Sequence, residues 1–281
     1  MSKEIELLAP AKINLFLHIT GRRDDGYHEL QSAFQLIDWC DTLHFDTRAD
    51  GQLSREDLTD PLPADDLVLR AAKALQSASG TTLGAHIAIE KTIPAQAGMG
   101  GGSSDAASTL LALNRLWGLN WPLSKLLPLG LALGADVPFF LRGHNAWVEG
   151  IGEQITPVSV PERRFVVLKP NAGLETARIF RDQGLQRNTE TATITDFAVH
   201  PFDFGRNDLQ PVAQALCPEV DLALQWLASF GLKPRMTGSG SAVFAQLPEG
   251  VLHSAAPHGW QMQVCSNMAV HPLAGWAVSD V

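Results

Sequence analysis

The sequence predicts an α+β protein built in two halves. Segments of period-two apolar spacing and segments of helical spacing are mixed along all 281 residues. A glycine cluster, Gly98-Met99-Gly100-Gly101-Gly102, runs from a strand-like stretch straight into an apolar helix, with no linker between. The stretch 156–161 reads as the link between the halves, so the expected domains are residues 1–158 and 159–281.

Composition narrows the function. With 45% hydrophobic and 18% charged residues the chain can bury one large core or two modest ones. No run of about 18 apolar residues is present, so no membrane span is expected. Residues 1–5 lead directly into a strand pattern, and no secretory leader is expected. Cys40, Cys217 and Cys265 are far apart and odd in number, which suits buried thiols in a reducing cytoplasm and no disulfide or metal framework. A net charge of −9 makes nucleic acid and anionic membrane poor partners. An anionic substrate needs a local positive site made from a few basic side chains and helix N-termini. No internal repeat, coiled coil or low-complexity segment is visible.

In chain order, Ala11 to Ile19 alternates as a strand, with Ile13, Leu15, Leu17 and Ile19 on one face and Lys12, Asn14, Phe16 and His18 on the other. Lys12 and Asn14 then project from the same side, roughly 7 Å apart. They either grip an anionic or hydroxylated ligand or belong to a solvated face. A polar turn ends in Tyr27-His28, the chain's sole tyrosine beside a histidine, which either stacks on and reads a base or simply packs. Residues 31–40 resume as strand, 41–46 read as its hairpin partner, and 47–66 as a polar surface loop. Residues 67–78 form an amphipathic helix with Leu67, Ala71, Ala74, Leu75 and Ala78 inward.

Next come the strand-like residues 86–91 and the loop Pro94-Ala95-Gln96-Ala97-Gly98-Met99-Gly100-Gly101-Gly102-Ser103-Ser104. Glycines allow positive φ and let backbone N–H groups approach a ligand closely. The unpaired N–H groups and dipole of the following helix favour an anion. Ser103 and Ser104 either cap that helix or turn a hydroxyl toward a phosphate or its magnesium. The expected role is a nucleotide phosphate cradle, against a flexible serine-capped loop. It is not a Walker loop, because no Gly-Lys-Ser/Thr follows, and it fits a dinucleotide fingerprint poorly. Asp105 repels phosphate, so it must face away or act through a cation.

A helix at 126–133, opened by Ser124, leads to Gly134-Ala135-Asp136-Val137-Pro138-Phe139-Phe140. Asp136 is either the cap of the next helix or a carboxylate in a dry site, as a kinase needs to orient and deprotonate a hydroxyl. Residues 145–149 and 164–170 are strands, and 174–180 begins a helix with Thr176 and Phe180 on one face. Residues 184–201 read as irregular, 208–216 and 220–230 as helices. Met236-Thr237-Gly238-Ser239-Gly240-Ser241 joins two strands, as a hairpin turn or as a way to bring small residues against the glycine loop. Residues 261–265 form the last strand.

Three segments together resemble the GHMP kinase superfamily: Pro10-Ala11-Lys12-Ile13-Asn14-Leu15, the stretch 94–107, and the stretch 236–244. Gly26-Tyr27-His28-Glu29-Leu30, the Asp136 segment and Gly238-Ser239-Gly240-Ser241 resemble its branch acting on a cytidyl diphosphate sugar alcohol. The resemblance implies a ribosomal protein S5 domain 2-like N-terminal domain, a ferredoxin-like C-terminal domain and an active site between them. It implies ATP as phosphoryl donor, an expected Mg2+, and phosphorylation of the substrate's 2-hydroxyl in the non-mevalonate isoprenoid precursor pathway. By family role Asp136 is the general base and Lys12 stabilises charge around it. Pro94, Gly98, Met99, Gly100, Gly101, Gly102, Ser103 and Ser104 hold ATP. Tyr27 and Phe180 sandwich the cytosine and His28 reads its edge. Asn14 and Thr176 hold the substrate's polar groups, and Gly238, Ser239 and Gly240 close the cleft. Ala95, Ala97 and Met99 depart from relatives that carry a glycine nearer the loop's start and leucine at the Met99 position. The expected state is a monomer or weak homodimer. Competing readings are a homoserine- or mevalonate-type kinase, a silent nucleotide-binding protein, and a protein-binding module on an S5-like fold.

Overall fold

Two long strands set the architecture. In the computed structural model, which describes residues 5–251 and 254–278, β1 (Ile5–Arg22) pairs antiparallel with β2 (His28–Arg48) along most of their length. Residues 1–4, where the first strand pattern is entered, lie outside the described residues. The β1–β2 register shifts between Pro10 and Ala11, between Asn14 and Leu17, and between Ile19 and Gly21. Proline has no N–H for the ladder, and a bulge re-aims the side chains beyond it. The expected alternation of β1 therefore breaks. Ile13, Leu15 and Phe16 enter one core and Leu17 and Ile19 another, and residues 9–19 have no solvated face. Residues 41–46 are not a hairpin partner. They continue β2 past a bulge, opposite Ile5 to Ala9.

The first sheet has the order β3-β4-β2-β5-β6, with β1 on β2. β3 (Leu53–Asp57) lies within the stretch expected to be loop and runs parallel to β4 (Gly84–Glu90). Its polar composition hid it, because Arg55 sits at this edge between Asp57 and Asp66. β5 (Ala146–Glu149) and β6 (Gln154–Pro157) complete the sheet, so β6 takes up the first part of the expected link. Four helices cover it: α1 (Leu67–Ser79), α2 (Gly101–Leu116), α3 (Leu123–Leu133) and α4 (Val137–Arg142). α1 buries Val68, Ala71, Ala72 and Leu75. Its inward stripe is rotated from the expected one, and Ala78 is exposed.

The second sheet comprises β7 (Arg164–Lys169), β8 (Arg235–Met236), β9 (Val243–Gln246) and β10 (Gln261–Ser266), in the order β10-β7-β9-β8. All its neighbours are antiparallel. Numbered within this half the order is 4-1-3-2, the arrangement expected of a ferredoxin-like sheet. The first crossover carries α5 (Thr176–Arg181), α6 (Ile194–Val199), α7 (Gln210–Leu216) and α8 (Pro218–Ala228). α6 lies in the stretch expected to be irregular and is nucleated by a capping box between Thr193 and Asp196. Between β9 and β10 no helix forms among the described residues, so the second crossover of a ferredoxin-like unit is reduced to a loop.

Three cores result, and β1 feeds all of them. Leu7 and Ala9 join the core under α1, α2 and α4. Ala11 to Phe16 pack between the sheets with Trp147, Phe165, Val167 and Phe244. Leu17 and Ile19 pack against α7 and α8. The chain then returns. Ser266 donates to Asp38 Oδ1, Met268 N donates to the Leu36 carbonyl, and Leu273 sits 2% exposed in the first core.

The two halves bring their backbones into close contact at Gly98 and Gly238. Gly98 has φ +69, and a Cβ there would lie 2.3 Å from the Thr237 carbonyl oxygen. Gly238 has φ +53, and its Cβ would lie 2.7 Å from the Gly98 oxygen. The 236–241 turn is thus a hairpin and also a wall against the glycine loop. Gly118 has a similar φ of +68 and no atom within 4 Å of its Cβ position. Gly98→Ala should cost about 2–4 kcal/mol from backbone strain plus overpacking, whereas Gly118→Ala pays the strain alone, about 1–2 kcal/mol. Urea unfolding of both variants checks this. Equal losses would show that the loop contact contributes nothing.

Candidate active site

A cleft of about 790 Å3 opens between the halves, walled by the loop 94–103, Lys12, Asn14, Asp136, Thr176, Phe180 and the turn 238–240. Its floor is the glycine loop. Gln96, Gly98 and Gly100 all have positive φ, and the helix begins at Gly101 with left-handed Gly100 as its N-cap. The serines therefore do not cap. Because the helix starts at Gly101, before the serines expected to cap it, Ser103 falls in the first turn, on the cleft wall. Ser104 is fully buried behind the loop, its Oγ without a partner among the described residues, and does not line the cleft. Met99 lends its backbone to the cleft and its side chain to the core between the sheets.

Lys12 is 4% exposed, so its ammonium must find acceptors inside the protein. Nζ donates to Asn14 Oδ1 at 2.6 Å and to the Gly98 carbonyl at 3.0 Å, and lies 3.6 Å from Asp136 Oδ2. It also sits 4.7 Å from the Phe34 ring centroid. Burial pulls its pKa down, against the pull of Asp136. Asn14 is fixed from both sides. Its backbone N–H and side chain meet Thr237 Oγ1, and its Nδ2 donates to Ser32 Oγ at 2.9 Å. Asn14 Oδ1 is thus spent on Lys12, and the asparagine serves the lysine as well as the cleft.

Asp136 precedes α4 but caps nothing. Its backbone is already helical (φ −83, ψ −15), no side-chain capping bond forms, and Pro138 offers no N–H. The carboxylate turns to Lys12 instead. Its side chain is 31% exposed, so the fully dry setting expected from its apolar flanks is not present in the open cleft.

Beneath the loop lies a second charged group. Lys91, at the end of β4, bonds Asp41 of β2 and Asp105 of α2, the latter at 2.5 Å. Asp41 Oδ1 also accepts from the Thr92 and Ile93 N–H groups at 2.6 and 2.8 Å, which pins the start of the loop. Asp105 does not turn away from the cleft, which it lines together with Lys91; the phosphate repulsion expected of it is met instead by its bond to that cation. Two carboxylates share one ammonium there. Burial, with Asp41 close by, pushes Asp105 up to about 8 despite Lys91.

At the far end of the cleft, Thr176 Oγ1 and Ser239 Oγ are 2.7 Å apart, closing one wall across the two segments. Phe180 lines the cleft, but its ring partner is His28, at 5.1 Å and 36°. Tyr27 is 61% exposed on the β1–β2 turn, with no ring partner among the described residues, so the expected Tyr27–Phe180 sandwich is not assembled in the open cleft. Sequence reasoning missed Arg187, which bonds His28, and Asn207, whose Nδ2 donates to the Met236 and Gly238 carbonyls at 2.8 Å each and holds the second glycine turn. Arg187 lay in a stretch read as irregular, and Asn207 carried no local signal.

Comparison with known proteins agrees with this geometry. The profile of the GHMP kinases N terminal domain matches residues 66–144, and that of the GHMP kinases C terminal matches residues 196–250. The chain belongs to the GHMP kinase family. Over its length it is similar to the 4-diphosphocytidyl-2-C-methyl-D-erythritol kinase of Albidiferax ferrireducens, 68% identical over 280 residues that cover 100% of this chain and 98% of that protein. A crystal structure of 4-(cytidine 5′-diphospho)-2C-methyl-D-erythritol kinase is similar at TM-score 0.79 and 33% identity, covering 94% of this chain and 99% of that one. Homoserine kinase from Cytophaga hutchinsonii shares the fold at TM-score 0.69 and 16% identity, covering 96% of each chain.

The Asp105 proton has a measurable consequence. The unfolded aspartate titrates near 3.9, so the folded chain holds this proton more tightly. This group's contribution to stability therefore declines as pH rises from about 4 to about 8. Asp105→Asn keeps the neutral shape and removes the decline. Its Tm should match the wild type near pH 5 and exceed it near pH 9. A variant equally destabilised at both pH values would show that Asp105 is ionised throughout.

Proposed function

We propose that this chain transfers the γ-phosphoryl group of ATP to the 2-hydroxyl of 4-diphosphocytidyl-2-C-methyl-D-erythritol, in the non-mevalonate route to isoprenoid precursors. The observation that carries it is the buried Lys12 ammonium, fixed by Asn14 and the Gly98 carbonyl and set 3.6 Å from Asp136 where the glycine loop meets the cleft. Identity of 68% over the full length to a protein named for this activity supports the substrate, against 16% for a homoserine kinase.

Phosphoryl transfer asks for positioning and charge stabilisation. The backbone N–H groups of 98–102 and the α2 N-terminus hold the phosphates, with the Ser103 hydroxyl beside them. Asp136 accepts the proton of the attacking hydroxyl as the new P–O bond forms, and ADP leaves. Lys12 offsets the negative charge gathering on the transferred group and keeps Asp136 aimed. Asn14 and Thr176 orient the polar groups of the sugar alcohol, and His28, Phe180 and Tyr27 hold the cytosine, with Tyr27 moving in from solvent as the base arrives.

Magnesium fits this cleft as a phosphate-held ion. Among the described residues no group of three or more carboxylate, histidine or cysteine side chains forms a cage, and Mg2+ commonly relies on one or two protein oxygens plus phosphates. Ser103 would offer such an oxygen on the cleft wall, leaving Asp136 to the hydroxyl. When bound, the ion neutralises phosphate charge. No helix among the described residues is long and apolar enough to cross a membrane.

Purified protein should release ADP from MgATP with the cytidyl substrate and not with homoserine or mevalonate. Asp136→Asn should keep ATP affinity and lose turnover by about 100- to 10,000-fold. Near-normal turnover in that variant would leave Asp136 a structural residue, and turnover on mevalonate or homoserine alone would move the substrate.

A further inference from the structure

Arg187 joins three parts of the cytosine end of the cleft. Its Nε donates to His28 Nε2 at 2.9 Å, and Nη1 donates to the Leu185 carbonyl at 3.0 Å. Its Nη2 donates to the carbonyls of Phe180, at 3.0 Å, and Asp182, at 2.6 Å. The residue thereby ties the end of α5, which carries Phe180, to His28 at the start of β2, 159 positions earlier. A guanidinium only donates. His28 Nε2 must therefore accept, so the ring is neutral with its proton on Nδ1. Burial, Arg187 and Arg22 all lower the His28 pKa, which agrees with a neutral ring. Nδ1 has no hydrogen-bond partner among the described residues, and the ring face is held on Phe180. A fixed donor without a partner, beside an aromatic wall of the cleft, is built to meet an acceptor on a flat ligand.

We propose that Arg187 is a specificity-determining positioning residue: by fixing the His28 proton on Nδ1 it presents a donor to N3 of the substrate's cytosine. Cytosine N3 is an acceptor, whereas uracil carries N3–H, so a fixed donor discriminates between the two bases by placing donor against donor. Without Arg187 the imidazole can move its proton to Nε2, turn an acceptor toward the base, and tolerate uracil. The proposal rests on the cytidyl-substrate reading.

The test uses the full chain, with CDP and UDP as competitive inhibitors of turnover on the cytidyl substrate. The wild type should be inhibited by CDP at least about tenfold more strongly than by UDP, and Arg187→Met should bring the two within about threefold, through weaker CDP inhibition and raised KM with kcat little changed. Wild-type turnover on the cytidyl substrate with equal inhibition by CDP and UDP would overturn the N3 assignment while leaving the reaction standing. No turnover on that substrate at all would instead sink the reaction. An Arg187→Met protein that keeps the wild-type CDP preference would overturn the role of Arg187. Because the variant risks misfolding, 15N spectra of histidine-labelled wild type, with the His28 signals assigned by their loss in His28→Gln, provide an independent reading. Protonated Nδ1 supports the proposal, and protonated Nε2 overturns it whatever the variant does.

Discussion

A lysine ammonium withdrawn from water imposes more on this molecule than any other single group. Lys12 sits 4% exposed, and each of its acceptors comes from a different part of the chain: Asn14 two residues on, the Gly98 carbonyl of the loop, and Asp136 ahead of α4. An unpaired buried charge costs several kcal/mol. The strand, the loop and the Asp136 turn must therefore converge for the fold to be tolerated at all, and that same convergence builds the geometry proposed for phosphoryl transfer. Under that proposal stability and catalysis draw on one set of contacts, and the Asp136 carboxylate needs no helix cap to hold it.

The cleft is also a product of docking. Thr237 meets Asn14, the 238 turn packs on Gly98, and Ser239 reaches Thr176. Arg187 spans from the α5 end to β2. Neither sheet alone holds a complete set of groups. The chain's overall charge of −9 is no obstacle to an anionic ligand, because the attraction is local. In the proposed site it comes from loop N–H groups, one helix N-terminus and Lys12, while the Asp105 carboxyl holds its proton and bonds Lys91.

Much of this was legible in the residue order, and the division follows sequence distance. The glycine loop, the Asp136 turn and the Lys12–Asn14 pair are each written within a few positions, in residue types with narrow conformational or chemical uses. The faces of β1 were misread because its bulges answer to a partner strand that alternation does not see. β3 escaped notice because Arg55, Glu56 and Asp57 suit a polar edge as well as a loop. The Asp41–Lys91–Asp105 group, Asn207 and Arg187 are bound to partners tens to more than a hundred positions away. Single charged or amide residues in loops announce no such bond.

The return of residues 266–273 to the first sheet bears on how the protein is made. Main-chain bonds from Met268 and His271 reach the Leu36 and Gly143 carbonyls, and Leu273 fills the core under the first four helices. A ribosome delivers residues 5–157 long before these residues emerge. The first half must therefore wait with an uncovered apolar patch while the second is translated, and the first core closes only once residues 266–273 have emerged. A bulky insertion directly after Leu273 would crowd that docking step, whereas one placed before β1 would leave it untouched.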